Sequence, residues 1–164
     1  MICGTQLVKM MTRQLTKESL ARKNFSADEF FYSASAKAKG IENKTDNLNL
    51  LTAGMVLADK MQEIRDLLGK SIKINSAYRC LELNRAIGSK DTSQHVKFEA
   101  CDFDCDSFGN AEKIASFLRD NDVEVDQCLI EKSGSSEWVH LSIKTRGNRN
   151  QFGKLINGKF SILA

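Results

Sequence analysis

Between residues 48 and 68 the apolar side chains Leu51, Met55, Ala58, Met61, Ile64 and Leu68 return every three or four positions. That spacing gathers them on one face of a helix, and Gly69 follows where a C-terminal cap belongs. Ser26, with Glu29 three residues on, has the capping-box pattern. It predicts a short helix running through FFYSASAKAK, which Gly40 ends. The alternation of Ile72 and Ile74 with polar neighbours predicts a strand over 71–78, and LELNRAIG reads as a short helix. In residues 99–105 the two-residue period places Cys101, Phe103 and Cys105 on one face of a strand, with Ala100, Asp102 and Asp104 on the other. A second amphipathic helix spans 111–119. VEVDQCLIE and EWVHLSIK then read as two strands joined through KSGSS, a hairpin connection. The pattern predicts an α+β domain, a small and mostly antiparallel sheet flanked by helices. Residues 1–23, polar and basic without strong periodicity, read as a tail or peripheral helix, leaving 24–164 as the domain proper.

Composition narrows the class. The 164 residues suffice for one domain with a real core. Hydrophobic residues at 41% and charged residues at 27% are the balance of a globular protein rather than a disordered or membrane one. The five cysteines, at positions 3, 80, 101, 105 and 128, form no C-x-x-C pair, so neither a disulfide framework nor a thiolate metal site is indicated. On the strand over 99–105, Cys101 and Cys105 fall on the apolar face and are expected in the core. Lys9 and Arg13 interrupt the apolar residues of the N-terminus, so no secretory signal is expected. No apolar run approaches the roughly 20 residues of a membrane span, so membrane insertion is not expected either. The net charge of +3 comes from scattered Lys and Arg, which favours an anionic partner weakly and a nucleic-acid groove poorly.

The chain has two histidines, and each sits where a metal ligand is plausible chemistry. His95 lies in a polar Ser-Gln-His loop; His140 lies mid-strand with Trp138 and Ser142 on its face. With Asp102 they supply two imidazoles and a carboxylate, the donor set of a catalytic zinc site that keeps a fourth position for water. Zinc there lowers the pKa of that water towards about 7, and a nearby carboxylate is needed to shuttle its proton. Glu137, three residues before His140, is the candidate, on condition that a turn or bulge re-aims it, since a straight strand faces residues 137 and 140 oppositely. Glu131 and Asp126 are held in reserve.

The blocks FSADEF, GIEN, LGKSIKINSAYR, LNRAIG, TSQHVKFEACDFD, DQCLIE and EWVHLSI, from about Phe25 to Ile143, resemble the zinc D-alanyl-D-alanine carboxypeptidase and endolysin-type peptidases, especially small phage and bacterial members. The resemblance implies that His95 and Asp102 of S-x-H-x6-D and His140 of E-x-x-H hold one zinc ion, and that Glu137 is the general base. It implies further that Arg79, matching the Arg of S-G-Y-R, and Ser93 contact substrate. The implied activity is hydrolysis of peptide bonds in peptidoglycan stem peptides, by a monomer acting on the cell wall. Made in a bacterial host cytoplasm, such an enzyme reaches the wall after release or as a virion component. The alternative is a non-catalytic wall-binding or virion structural module that keeps the fold. Two positions depart from the family pattern: Phe98 and Ala77 stand where glycine is usual. Phe98 is expected to narrow the cleft or reshape its loop if the backbone there needs glycine's freedom; Ala77 is tolerable at negative φ.

Overall fold

The computed structural model describes residues 15–163, so the expectation for the first fourteen residues lies outside it. The helices are α1 (Ala34–Lys39), α2 (Leu48–Leu68), α3 (Leu81–Ala86) and α4 (Ala111–Asp120). The strands are β1 (Lys73–Ser76), β2 (Ala100–Asp104), β3 (Gln127–Ser133), β4 (Ser136–Ser142), β5 (Gln151–Ile156) and β6 (Lys159–Ile162). They form one six-stranded sheet in the order β1-β2-β4-β3-β5-β6. Every pair is antiparallel except β3 with β5. The α+β class expected from the pattern is therefore the class observed.

Helix α2 begins at Asn47, whose side-chain oxygen accepts the free N–H groups of Asn49 and Leu50. It ends at Gly69, left-handed at φ +62°. The expected helix over 26–40 is instead two pieces. The Ser26–Glu29 capping box opens a single 3-10 turn, Ala27–Phe30. Ser33 then caps α1 by accepting from Ala36 N–H, a local bond that competes with a continuous helix. Upstream, the 3-10 turn Lys17–Leu20 seats a fully buried Leu20, and Arg22 bonds to Asp59 and to the Met55 carbonyl on α2.

The two faces of the sheet differ in chemistry. Cys101 and Phe103 of β2, Cys128 and Ile130 of β3, and Val139 and Leu141 of β4 share one face. All are buried in one cluster with Leu57, Met61 and Ile64 of α2 and Ile114 and Leu118 of α4. At about 1.5–3 kcal/mol for each large side chain, this layer is the main favourable term in folding. The opposite face carries Asp102, Trp138, His140, Ser142 and Glu131. Among the described residues, no helix is long and apolar enough to cross a membrane.

The β5–β6 hairpin has no counterpart in the sequence-based expectation. Its turn is Asn157-Gly158, with both residues at positive φ (52° and 74°), the conformation a two-residue hairpin turn requires. An Asn-Gly dipeptide between QFGKLI and KFSI was the available signal.

Candidate metal centre

Three elements bring the site together. Asp102 and His140 are directly opposite on the adjacent strands β2 and β4. His95 comes from the loop before β2, a series of tight turns from Ser93 to Glu99. That loop closes with Phe98 N–H donating to the His95 carbonyl and Glu99 N–H donating to the Gln94 carbonyl. This is the bond pattern of a helix-ending turn whose penultimate residue is left-handed, and Phe98 is that residue at φ +58°. A left-handed non-glycine costs roughly 1–2 kcal/mol. The ring offsets it: Phe98 is fully buried, with centroids 5.3 Å from Phe31 and 5.0 Å from Tyr78. It therefore keeps the glycine-type backbone and sends its bulk into the core, not into the cleft. Ala77 is fully buried and does not adopt positive φ.

The three candidate ligands are all buried, and their donor atoms lie within 4.8 Å of one another. Asp102 Oδ1 is 3.2 Å from His95 Nε2 and 2.9 Å from His140 Nδ1. Tetrahedral ligands about 2.0–2.2 Å from a shared zinc ion stand about 3.3–3.5 Å apart, so little adjustment would seat one. The other nitrogen of His95, Nδ1, is 2.7 Å from the Ala77 carbonyl. A carbonyl only accepts, so Nδ1 carries the proton and Nε2 presents its lone pair to the centre. Burial lowers the pKa of His95 despite the pull of Asp102, favouring the neutral, ligating form. Burial would raise Asp102, but its close histidine neighbours, with His140 Nδ1 hydrogen-bonded to Oδ1, hold it well below the usual carboxylate range.

Further residues fix these three. Arg79 Nη2 donates to Asp102 Oδ2 at 2.5 Å and Arg79 Nε to Ser76 Oγ, which leaves Oδ1 facing the histidines. Asn43, in the GIEN block, donates to the Phe31 and Tyr78 carbonyls and accepts from Cys80 N–H, clamping the segment that carries Arg79. Ser142 Oγ, next to His140 on its face, is buried without a hydrogen bond, and Trp138, on the other side of His140, hydrogen-bonds the Glu131 carboxylate across the strands. Leaving such a group unmatched costs about 1–3 kcal/mol. The donor set and the His95 tautomer together fit a divalent metal.

Ser93 lies in a cleft of about 640 Å³ shared with His140. Lys90, Lys97, Lys144 and Arg149 also line it, a cationic wall that sequence reading did not single out. Asp126 underpins part of that wall. Fully buried, it accepts from Arg149 Nε and Nη2, Lys144 Nζ and Gln94 Nε2, tying the wall to the residue before His95. Burial opposes its ionisation, but these donors depress its pKa far below normal.

Glu137 and Glu131 are placed differently. The β3–β4 register runs without interruption, pairing Glu137 with Lys132 and Glu131 with Trp138. Glu137 Oε2 is 3.6 Å from Lys132 Nζ, on the face of Val139 and Leu141, and no bulge re-aims it. Glu131 shares the face of His140; burial raises its pKa, while His140 and Arg79 act against that.

Comparison with known families decides the assignment. The family model described as Peptidase M15 matches residues 23–142, most of the chain. The chain belongs to the peptidase M15 family. Comparison with curated proteins finds no match. M15 peptidases are zinc-dependent, and the buried His95–Asp102–His140 cluster lies inside the matched range. Membership implies a peptidase acting on a peptide substrate.

Proposed function

We propose that this M15 protein is a zinc metallopeptidase that hydrolyses peptide bonds of peptidoglycan stem peptides, as a D,D-carboxypeptidase or endopeptidase. The convergence of the buried His95, Asp102 and His140 donor atoms, with His140 lining an open cleft, is the observation that carries it. Zinc, when bound, supplies a Lewis acid and lowers the pKa of a coordinated water. The chain's own residues do the rest. Arg79 holds Asp102 in its ligating orientation and, at the same place, is a guanidinium fork for a substrate carboxylate or carbonyl. Ser93 offers a hydroxyl at the cleft wall. A carboxylate of the β3–β4 hairpin takes a proton from the attacking water and returns it to the leaving amine. The cationic wall suits stem peptides, which carry free carboxylates. The enzyme works as a monomer at the wall, reached after release from the producing cell or as a virion component.

The test is release of new amino groups from purified peptidoglycan, with mass spectrometry of the fragments to name the bond. Zinc-loaded protein is expected to release them and chelated protein to lose at least about 100-fold in rate. Wall binding with no zinc-dependent release would instead favour a non-catalytic wall-binding module.

A further inference from the structure

The β3–β4 hairpin carries two carboxylates, and its register assigns them to opposite faces of the sheet. On β4, residues 138, 140 and 142 share one face and 137, 139 and 141 the other. The partner residues on β3 follow: Leu129 stands across from His140, Glu131 across from Trp138, and Lys132 across from Glu137. Glu131 is thus a diagonal neighbour of His140 on the metal-site face, a separation that a glutamate side chain spans. Glu137 sits on the face of Val139 and Leu141, both fully buried in the core, and its carboxylate reaches Lys132. Reaching the metal site from there requires a bulge between residues 137 and 140. The pairing from Ser133–Ser136 through Gln127–Ser142 contains none.

We infer that Glu131 on β3, rather than Glu137 of the E-x-x-H motif, is the carboxylate that moves the proton in this enzyme. Its carboxylate oxygen accepts a proton from the attacking water as the water's oxygen bonds to the scissile carbonyl carbon. It gives that proton to the leaving nitrogen as the C–N bond breaks, so Glu131 ends as it began. Trp138, directly across the strands, walls one side of the carboxylate, and Leu155 on β5 walls the other. Leu155 lies on the side away from Asp102, and β4 with Trp138 and His140 lies on the side towards it. The inference rests on the peptidase reading, but one of its tests does not.

Two isosteric variants decide it, Glu131→Gln and Glu137→Gln, each made in the full chain and checked for unchanged zinc content and melting temperature. On peptidoglycan fragments, Glu131→Gln is expected to lower kcat about 100-fold or more with KM little changed, and Glu137→Gln to stay within about threefold of wild type. The second readout needs no substrate. With cobalt in place of zinc, the visible absorption is followed from acid to neutral pH. Its transition is expected to move by about one pH unit or disappear in Glu131→Gln and to persist in Glu137→Gln. A kcat loss and spectral change that follow Glu137, or that follow neither residue, overturn the inference. If wild-type protein releases nothing from peptidoglycan, the substrate reading fails, while the cobalt titration still discriminates between the two carboxylates.

Discussion

At the scale of single residues, Asp126 shows how a side chain outside the metal cluster shapes it. It is fully buried and collects Gln94, Lys144 and Arg149, so Asp126→Asn leaves two cations without their partner. Because those cations reach solvent, the expected loss is about 2–3 kcal/mol, at the low end for a broken buried pair. The sign of its pH dependence follows from the depressed pKa. The unfolded chain takes up the proton first, near pH 4, so the contribution is complete above that and declines as pH falls further. Denaturant melts at pH 5 and pH 3 are expected to show a larger drop for wild type than for Asp126→Asn; equal drops would contradict it. The metal ligands were legible in sequence because only two histidines exist and Asp102 sits on a readable strand face. Asp126 was not, since its partners lie 18 to 32 residues away in sequence and only the fold brings them together.

Among the secondary-structure elements, the contact between α2 and the His95 loop is the most demanding. Gly54 of α2 lies under the Phe98 ring, and a Cβ there would come within 2.8 Å of it. Helix propensity alone predicts that Gly54→Ala stabilises by up to about 1 kcal/mol. The steric conflict is expected to reverse that, destabilising the protein by about 1–3 kcal/mol. In a Phe98→Ala background the Gly54→Ala penalty should largely vanish, giving a coupling energy of about 1 kcal/mol or more by denaturant melts. Additive effects would show that the ring does not rest on Gly54. Helix α2 and strands β2 to β4 were readable because long apolar periods and caps agree with one another. The stretch from Ser26 to Gly40 was read as one helix because two capping signals, Ser26 and Ser33, share one apolar run. That Glu137 faces away from His140 follows from alternation along one straight strand, whereas placing Glu131 on the face of His140 needs the β3–β4 register, which the two-residue Gly134–Ser135 turn sets.

For the molecule as a whole, the sheet divides labour: one face is sealed by α2 and α4, and the other holds a buried polar cluster. Such a cluster makes stability depend on the ion. At zinc about 100-fold above its dissociation constant, binding adds about 2.7 kcal/mol, so a chelator is expected to lower the melting temperature by about 5 °C or more. A melting temperature indifferent to zinc and chelator would show that the folded state does not bind the ion. The most direct measurement is zinc content after equilibrium dialysis of wild type and of the His95→Ala, Asp102→Ala and His140→Ala variants, with circular dichroism confirming that each is folded. The wild-type chain should retain one zinc ion, and each folded variant close to none at the same free zinc. Variants that still hold a full equivalent would contradict a shared site built from these three side chains.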